Sequence, residues 1–499
     1  VRLDANLPRH DKNQMKILLA SSETTPYSKS GGLADMVGAL GKFLARAGHE
    51  VGLVTPLYRN IEQKFPDIRR LGWKLDIPLG AHRVSGEVLV HKPAKGLTFY
   101  FIDQKPFYNR PGLYNEKDVD YPDNAERFIF FTKAVVNLAR FLPSQPEILH
   151  LHDWQCALAA ALIRDQKLRQ GWNGPAVCMT VHNLAFQGVF PASKFSLTGL
   201  PWNYFQANGL EFYGGFSCLK AGINYADIIT TVSPRYAREI TTPQFGCGLD
   251  GLLRERENLL VGILNGVDYE EWKTVGNAHL TVSYSADDLA GKETNKAELQ
   301  KETGLQVNPA VPLFGTVSRL TDQKGMDLEL AALQEMLAGN IQFVLLGSGS
   351  PDYERAFRQL ADRYPGKCAV KIGFDTGLSH RIEAGCDFYL MPSAFEPCGL
   401  NQMYSLRYGT VPIVRATGGL DDAVTDITQN QELANGIKFT EYSPRALTKA
   451  IRKALALYEE KPLLEHFRRN GMTKDFSWER TANEYEAVYQ RMLSKRVSQ

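Results

Sequence analysis

Short apolar runs alternate with helix-period segments along nearly the whole chain, and this alternation limits the available folds more than any other feature. The runs lie at 16–20 (KILLA), 51–54 (VGLV), 97–102 (LTFYFI), 147–151 (EILHL), 176–181 (AVCMTV) and 227–232 (DIITTV). A second set lies at 259–264 (LLVGIL), 313–318 (LFGTVS), 341–346 (IQFVLL), 369–372 (AVKI), 387–391 (DFYLM) and 411–414 (VPIV). Short, β-branched and without polar alternation, they suit parallel strands covered on both faces. Helices between them make βαβ units, so the expected class is α/β with doubly wound sheets. At 499 residues the chain exceeds one ordinary core, and two domains of about 200–250 residues are expected.

The polar, weakly periodic stretch 269–310 marks the seam. Residues 1–14 then read as an extension without fixed structure, 15–268 as the N-terminal domain, 269–310 as a linker or hinge and 311–475 as the C-terminal domain. Residues 476–499 read as a C-terminal helix that packs back on the N-terminal domain, with Ser477 as its N-cap. Doubly wound sheets bind ligands outside the carboxyl ends of their strands. Two such sheets imply a site in a cleft between the domains, with chemistry-bearing loops from both.

Bulk properties exclude several classes. A formal net charge of +2 and the lack of Lys/Arg blocks speak against nucleic acid and membrane surfaces as partners. No apolar run approaches the ~18 residues of a membrane span, and the polar first 14 residues lack a signal-peptide core. The seven cysteines form no CxxC pair and are odd in number. That pattern suits a reducing compartment rather than a disulfide framework or zinc knuckle.

Five loops carry candidate chemistry. SKSGGLADM (28–36) follows the first strand, and an apolar period at 33, 36, 37, 40, 43, 44 and 47 begins a helix there. Gly31 and Gly32 thus lie at a helix mouth, where backbone N–H groups lack internal partners and glycine lets an anion approach; Lys29 adds a full charge. The bland reading is a tight turn with a solvated lysine. RATGGLDDAV (415–424) repeats the layout, with Gly418 and Gly419 before a short helix. In GTVSRLTDQKGMDL (315–328), Arg319 and Lys324 flank a loop, and a fork donor with a point charge suits a diphosphate. In SAFEPCGLNQMYSLRYG (393–409), Glu396 sits just ahead of a helix, placed for ligand hydroxyls or developing positive charge, or simply favoured by the helix dipole. Cys398 reads as a small buried hydrophobe. The fifth loop set, at the ends of two successive strands, brings His150, His152 and Asp153, then His182 and Asn183. His150 and His152 share a strand face, but no third ligand follows at zinc spacing, so an orienting or core role is favoured over a metal.

Other signatures fail. GSGSPD (347–352) has Asp352 where a dinucleotide fingerprint needs its third glycine. The DVD triplet (118–120) follows no apolar strand, and no Walker A loop is present.

KSGGLADM, HLHDWQ, VHNLAFQG, LKAGINYADIITTVSPRYAREI (219–240), LNGVDYEEW (264–272), VSRLTDQKG, FEPCGLNQMYSLRYGT and ATGGLDDAV occur in this order. Together, over about 15–490, they closely resemble the bacterial glycogen synthases and the plant and algal starch synthases. The resemblance implies two Rossmann-like domains facing across a cleft, the GT-B arrangement. It implies retaining transfer of glucose, usually from ADP-glucose, to the non-reducing end of an α-1,4-glucan or maltooligosaccharide, without metal or other cofactor. By the same resemblance the N-terminal domain serves the acceptor and the C-terminal one the donor. Arg319 and Lys324 would hold the diphosphate, supported by Thr417, Gly418 and Gly419. Glu396 would contact the transferred glucose. His182 would lie at the reacting centre through its backbone carbonyl. Lys29, with Gly31 and Gly32, would approach the phosphates or glucose from the other domain. Gly373 and Phe374 match the segment against the adenine, while Asp35, Asp153, Asn183, Asn265, Cys398 and Gly399 match the sugar or acceptor side. The resemblance places the chain in a bacterial cytoplasm or plastid stroma and implies no oligomeric state.

The sequence departs from the family at Ser30, where Thr or Val is frequent, and at Phe374-Asp375, where many members carry Tyr. Tyr404 stands where wider retaining enzymes have a second glutamate, as in this branch generally. A UDP-glucose preference, a sucrose- or trehalose-phosphate-type synthase and a catalytically silent glucan-binding relative are the alternatives; intact Lys29, Arg319, Lys324 and Glu396 disfavour the silent one.

Overall fold

A computed structural model describes residues 14–117 and 119–497. The extension read at 1–14, Gln14 apart, and Asp118 of the DVD triplet lie outside the described residues. The chain divides into two units, one of residues 1–232, 237–263 and 478–499, the other of residues 233–236 and 264–477.

The first unit is built on a nine-stranded sheet. Its order is 260–262, 228–231, 176–181, 148–152, 16–20, 50–56, 97–103, 82–94 and 69–79. The first seven strands run parallel, and the last two form an antiparallel hairpin on one edge. Each parallel run was legible as an unbroken apolar segment. The hairpin was not, because its outer strand buries only alternate residues at one end, Leu75, Ile77 and Leu79. The helix Gly32–Arg46 buries Met36, Val37, Leu40, Phe43 and Leu44, the stripe its period predicts. Gly38 sits where a Cβ would lie 2.3 Å from Thr25 Oγ1, so the loop before this helix can pack flat on it. The C-terminal helix Trp478–Val497 belongs to this unit: Tyr485 and Tyr489 are fully buried, and Glu486 pairs with His49 at 3.2 Å.

The second unit has six parallel strands in the order 368–372, 342–349, 313–320, 388–391, 411–415 and 437–439. Phe314, Phe343, Leu345, Leu390 and Ile413 fill its core against Leu333 and Ile451 of the covering helices. The stretch 269–310, expected as a linker, instead lies wholly in this unit and carries the helix Ala290–Glu302. That helix buries polar residues. Lys296 bonds Asp387 at 2.7 Å, and Lys292 donates to the Ala384 carbonyl at 2.8 Å. Its face is therefore polar in sequence yet satisfied in the core. Among the described residues no helix is long and apolar enough to cross a membrane.

Candidate active site

In the first unit, the loops after three neighbouring strands, 16–20, 148–152 and 176–181, gather at their carboxyl ends. Asp153 leaves its strand with φ +58°, a left-handed conformation that non-glycine residues adopt at a cost. The turn aims its carboxylate across to the next loop, where Oδ1 accepts the His182 N–H at 2.8 Å and the group also bonds the Asn183 amide. Burial still pushes Asp153 up to about 7 against the pull of both amides. The Asn183 side chain turns back to cap its own loop, accepting the Ala185 N–H at 3.1 Å. His182 Nε2 lies 3.1 Å from His152 Nδ1, so one of the two rings donates. His150 bonds Tyr489 Oη and Thr180 Oγ1 at 2.8 and 2.5 Å. Burial pushes His150 and His182 down to about 3, and His152 falls well below its usual range. All three are thus neutral near pH 7, and His150 is a core group hydrogen-bonded at both nitrogens. No group of three or more His, Cys, Asp or Glu side chains among the described residues is arranged to hold a metal.

The glycine loop has its own order. The helix starts at Gly32 with Gly31 as N-cap, and a Cβ on either glycine would meet nothing within 4 Å. Packing therefore does not demand these glycines. Lys29 pairs with Asp35 at 2.7 Å on the surface. The Gly31 amide, expected to face a ligand anion, is bonded instead, together with that of Ser30, to the buried carboxyl of Glu23.

In the second unit, the loops after strands 313–320, 388–391 and 411–415 meet around Glu396. Glu396 is buried, and its Oε2 accepts from Lys324 Nζ at 2.5 Å and Ser393 Oγ at 3.2 Å. The Lys324 turn is closed by Gly325 at φ +72°, where a Cβ would strike the Pro392 carbonyl at 2.2 Å. Arg319 is exposed at the end of its strand, with no ion-pair partner among the described residues. Arg415 Nη1 donates to the Ala394 carbonyl at 2.5 Å and shapes the loop that carries Glu396.

Gly418 and Gly419 differ from the first glycine pair. A Cβ on either would fall 1.9 Å from the Glu396 carbonyl oxygen or 2.0 Å from that of Cys398. The Gly419 N–H donates to the Glu396 and Pro397 carbonyls, both at 3.2 Å. These glycines let two loops touch, and the Gly419 amide is spent inside the protein. Thr417 is buried at the N-cap of the same short helix. Cys398 is buried, takes a hydrogen bond from the Asn265 backbone and is pushed up to about 12 by burial, so it is no nucleophile. Gly399, at φ +70°, turns the chain into the helix Asn401–Arg407. Gly373, at φ +134°, ends the strand 368–372, and Phe374 beside it is 92% exposed.

Sequence reasoning missed Glu23, Ser393, Arg415 and a pair that braces this site. Asn401 Nδ2 donates to the Val317 carbonyl at 2.6 Å and to Tyr389 Oη at 2.8 Å, while Tyr389 Oη takes the Val317 N–H at 2.9 Å. The Glu396 loop is thereby tied to the strand that carries Arg319. Asn401, opening a helix two residues after Gly399, was the one available signal.

Residues 16–255 match the family model described as the starch synthase catalytic domain, and residues 296–474 match glycosyl transferases group 1. The chain is 47% identical over 483 residues to the glycogen synthase of Anaeromyxobacter sp. (strain Fw109-5), covering 96% of this chain and 100% of that one. It is 43% identical over 491 residues to glycogen synthase 1 of Geobacter sulfurreducens, covering 97% of each. Among solved structures, the catalytic domain of starch synthase IV from Arabidopsis thaliana, bound to ADP and acarbose, matches with a TM-score of 0.86 at 33% identity, over 97% of this chain and 100% of that one. A sucrose-phosphate synthase from Thermosynechococcus elongatus shares the fold alone, with a TM-score of 0.61 at 18% identity. Fold and sequence together define a glycosyltransferase of the GT-B class. Within that class, the chain belongs to the glycogen and starch synthase family.

Proposed function

We propose that this enzyme transfers glucose from ADP-glucose to the non-reducing end of an α-1,4-glucan, with retention of the anomeric configuration and without a metal. The observation that carries the reading is the buried Glu396 held by Lys324 and Ser393, with exposed Arg319 on the strand that leads into the Lys324 turn, in a chain of this family. Lys324 spends one of its three donors on Glu396, which leaves two for a diphosphate. Arg319 adds a fork of donors to the same leaving group. As the glycosidic bond to phosphate breaks, negative charge grows on the diphosphate and positive charge on the sugar. Cations fixed beforehand stabilise the first, and the Glu396 carboxylate stabilises the second. The acceptor hydroxyl attacks from the face the diphosphate leaves, and the departing phosphate takes its proton.

Asp153 and His152 fix the His182 loop, so the His182 carbonyl is the group this reading sets beside the anomeric carbon. The exposed Phe374 ring offers a flat face to the base. Gly418 and Gly419 act by shaping the Glu396 loop. The relative solved with ADP and acarbose supports a nucleotide and a glucan as ligands. Seven cysteines without a disulfide support a reducing compartment, a bacterial cytoplasm or plastid stroma. The test is incubation with maltohexaose and either ADP-glucose or UDP-glucose, with a chelator present. Extension from ADP-glucose at the higher rate is expected. Faster extension from UDP-glucose would move the donor assignment, and none from either donor would reject the reading.

A further inference from the structure

Glu23 lies in the loop after the first strand, is 3% exposed, and accepts from groups that build the neighbouring glycine loop and its support. Oε2 takes the Ser30 N–H, Oε1 takes the Ser30 hydroxyl at 2.9 Å, and the Gly31 amide bonds the same carboxylate. From the other side Tyr114 Oη reaches Oε1 at 3.3 Å and Ser22 Oγ at 2.7 Å. Tyr114 is itself fixed, since its carbonyl accepts from Asn124 Nδ2 at 3.0 Å. A carboxylate ringed by donors, under a loop whose glycines no packing demands, holds that loop in one shape.

We propose that Glu23 is the positioning residue of the Lys29–Gly32 loop: a buried carboxyl that fixes the helix mouth so that Lys29 is presented to the substrate in one geometry. The carboxyl already occupies the Ser30 and Gly31 amides, so it is Lys29, rather than those amides, that meets the substrate phosphates or sugar. This inference rests on the glucosyl-transfer reading for its kinetic arm only.

The experiment compares wild type with Glu23→Gln, Lys29→Ala and the double variant. Hydrogen exchange at 28–36 is expected to quicken by at least about tenfold in Glu23→Gln. Turnover is expected to fall by about a hundredfold, with ADP affinity unchanged. The double variant should be no slower than Lys29→Ala, because Glu23 acts through the lysine. Unchanged exchange at 28–36, or losses that multiply in the double variant, would overturn the proposal. The exchange arm does not depend on activity, so it still decides the matter if the wild type fails to extend glucans. If Glu23→Gln does not fold, Ser30→Ala removes one bond at an exposed residue and should quicken exchange by about fivefold; no change there would also overturn the proposal.

Discussion

Lys324 and Glu396 come from loops after two adjacent strands, 72 residues apart, and the fold sets them 2.5 Å from each other. Each was legible alone, because a cation and a carboxylate at strand ends stand out against apolar runs. Their pairing was not, since no spacing rule connects them. Glu23 was less legible still: it is one acid in a polar loop, and its partner Tyr114 lies 91 residues on. The Gly418–Gly419 pair was legible as an anion loop, yet its geometry answers to the carbonyls of Glu396 and Cys398. Glu396→Gln keeps the shape and removes the charge, so turnover should fall by about 10²–10³, as when one preorganised electrostatic group is lost. Lys324→Ala should weaken ADP binding by about tenfold or more, the worth of a charge-assisted hydrogen bond. Kinetics and calorimetry check the two together; near-normal turnover in the first, or unchanged ADP affinity in the second, would remove that residue from the site.

Helices show where polarity misleads. The helix Ala290–Glu302 buries Lys292, Asn295, Lys296 and Gln300 and so reads as solvated in sequence. The helix Met326–Met336, which follows the Lys324 turn, carries Glu329 fully into the core, where the Thr316 side chain is its hydrogen-bonding neighbour. Burial pushes Glu329 up to about 8, so it is protonated in the folded protein at neutral pH. The unfolded chain ionises near pH 4.5 and thus binds fewer protons than the native state between pH 4.5 and 8. Stability from this group is therefore greatest in acid and declines as pH rises through that window, by up to about 1.4 kcal/mol per pH unit. Glu329→Gln should flatten that decline. Thermal melts of both proteins at pH 6 and pH 8 decide it, and equal slopes would contradict the assignment.

At the scale of the molecule, the α/β class follows from one property, the unbroken apolar run of a strand covered on both faces, repeated through both units. Such runs predict parallel sheets and place the chemistry at their carboxyl ends, and in each unit the candidate residues stand there. The alternating hairpin at the edge of the first sheet escapes that rule because one of its faces meets water. What the site does with its substrate is a matter of stereochemistry. Glu396 is committed to Lys324 and Ser393, and the proposed same-face attack needs no covalent bond to it. The most direct measurement is proton NMR of the first glucose added from ADP-glucose to maltotriose, followed from the earliest turnover. A new α-1,4 linkage is expected with no β-linked species at any time; a β-linked product would mean inversion and overturn the proposed retention.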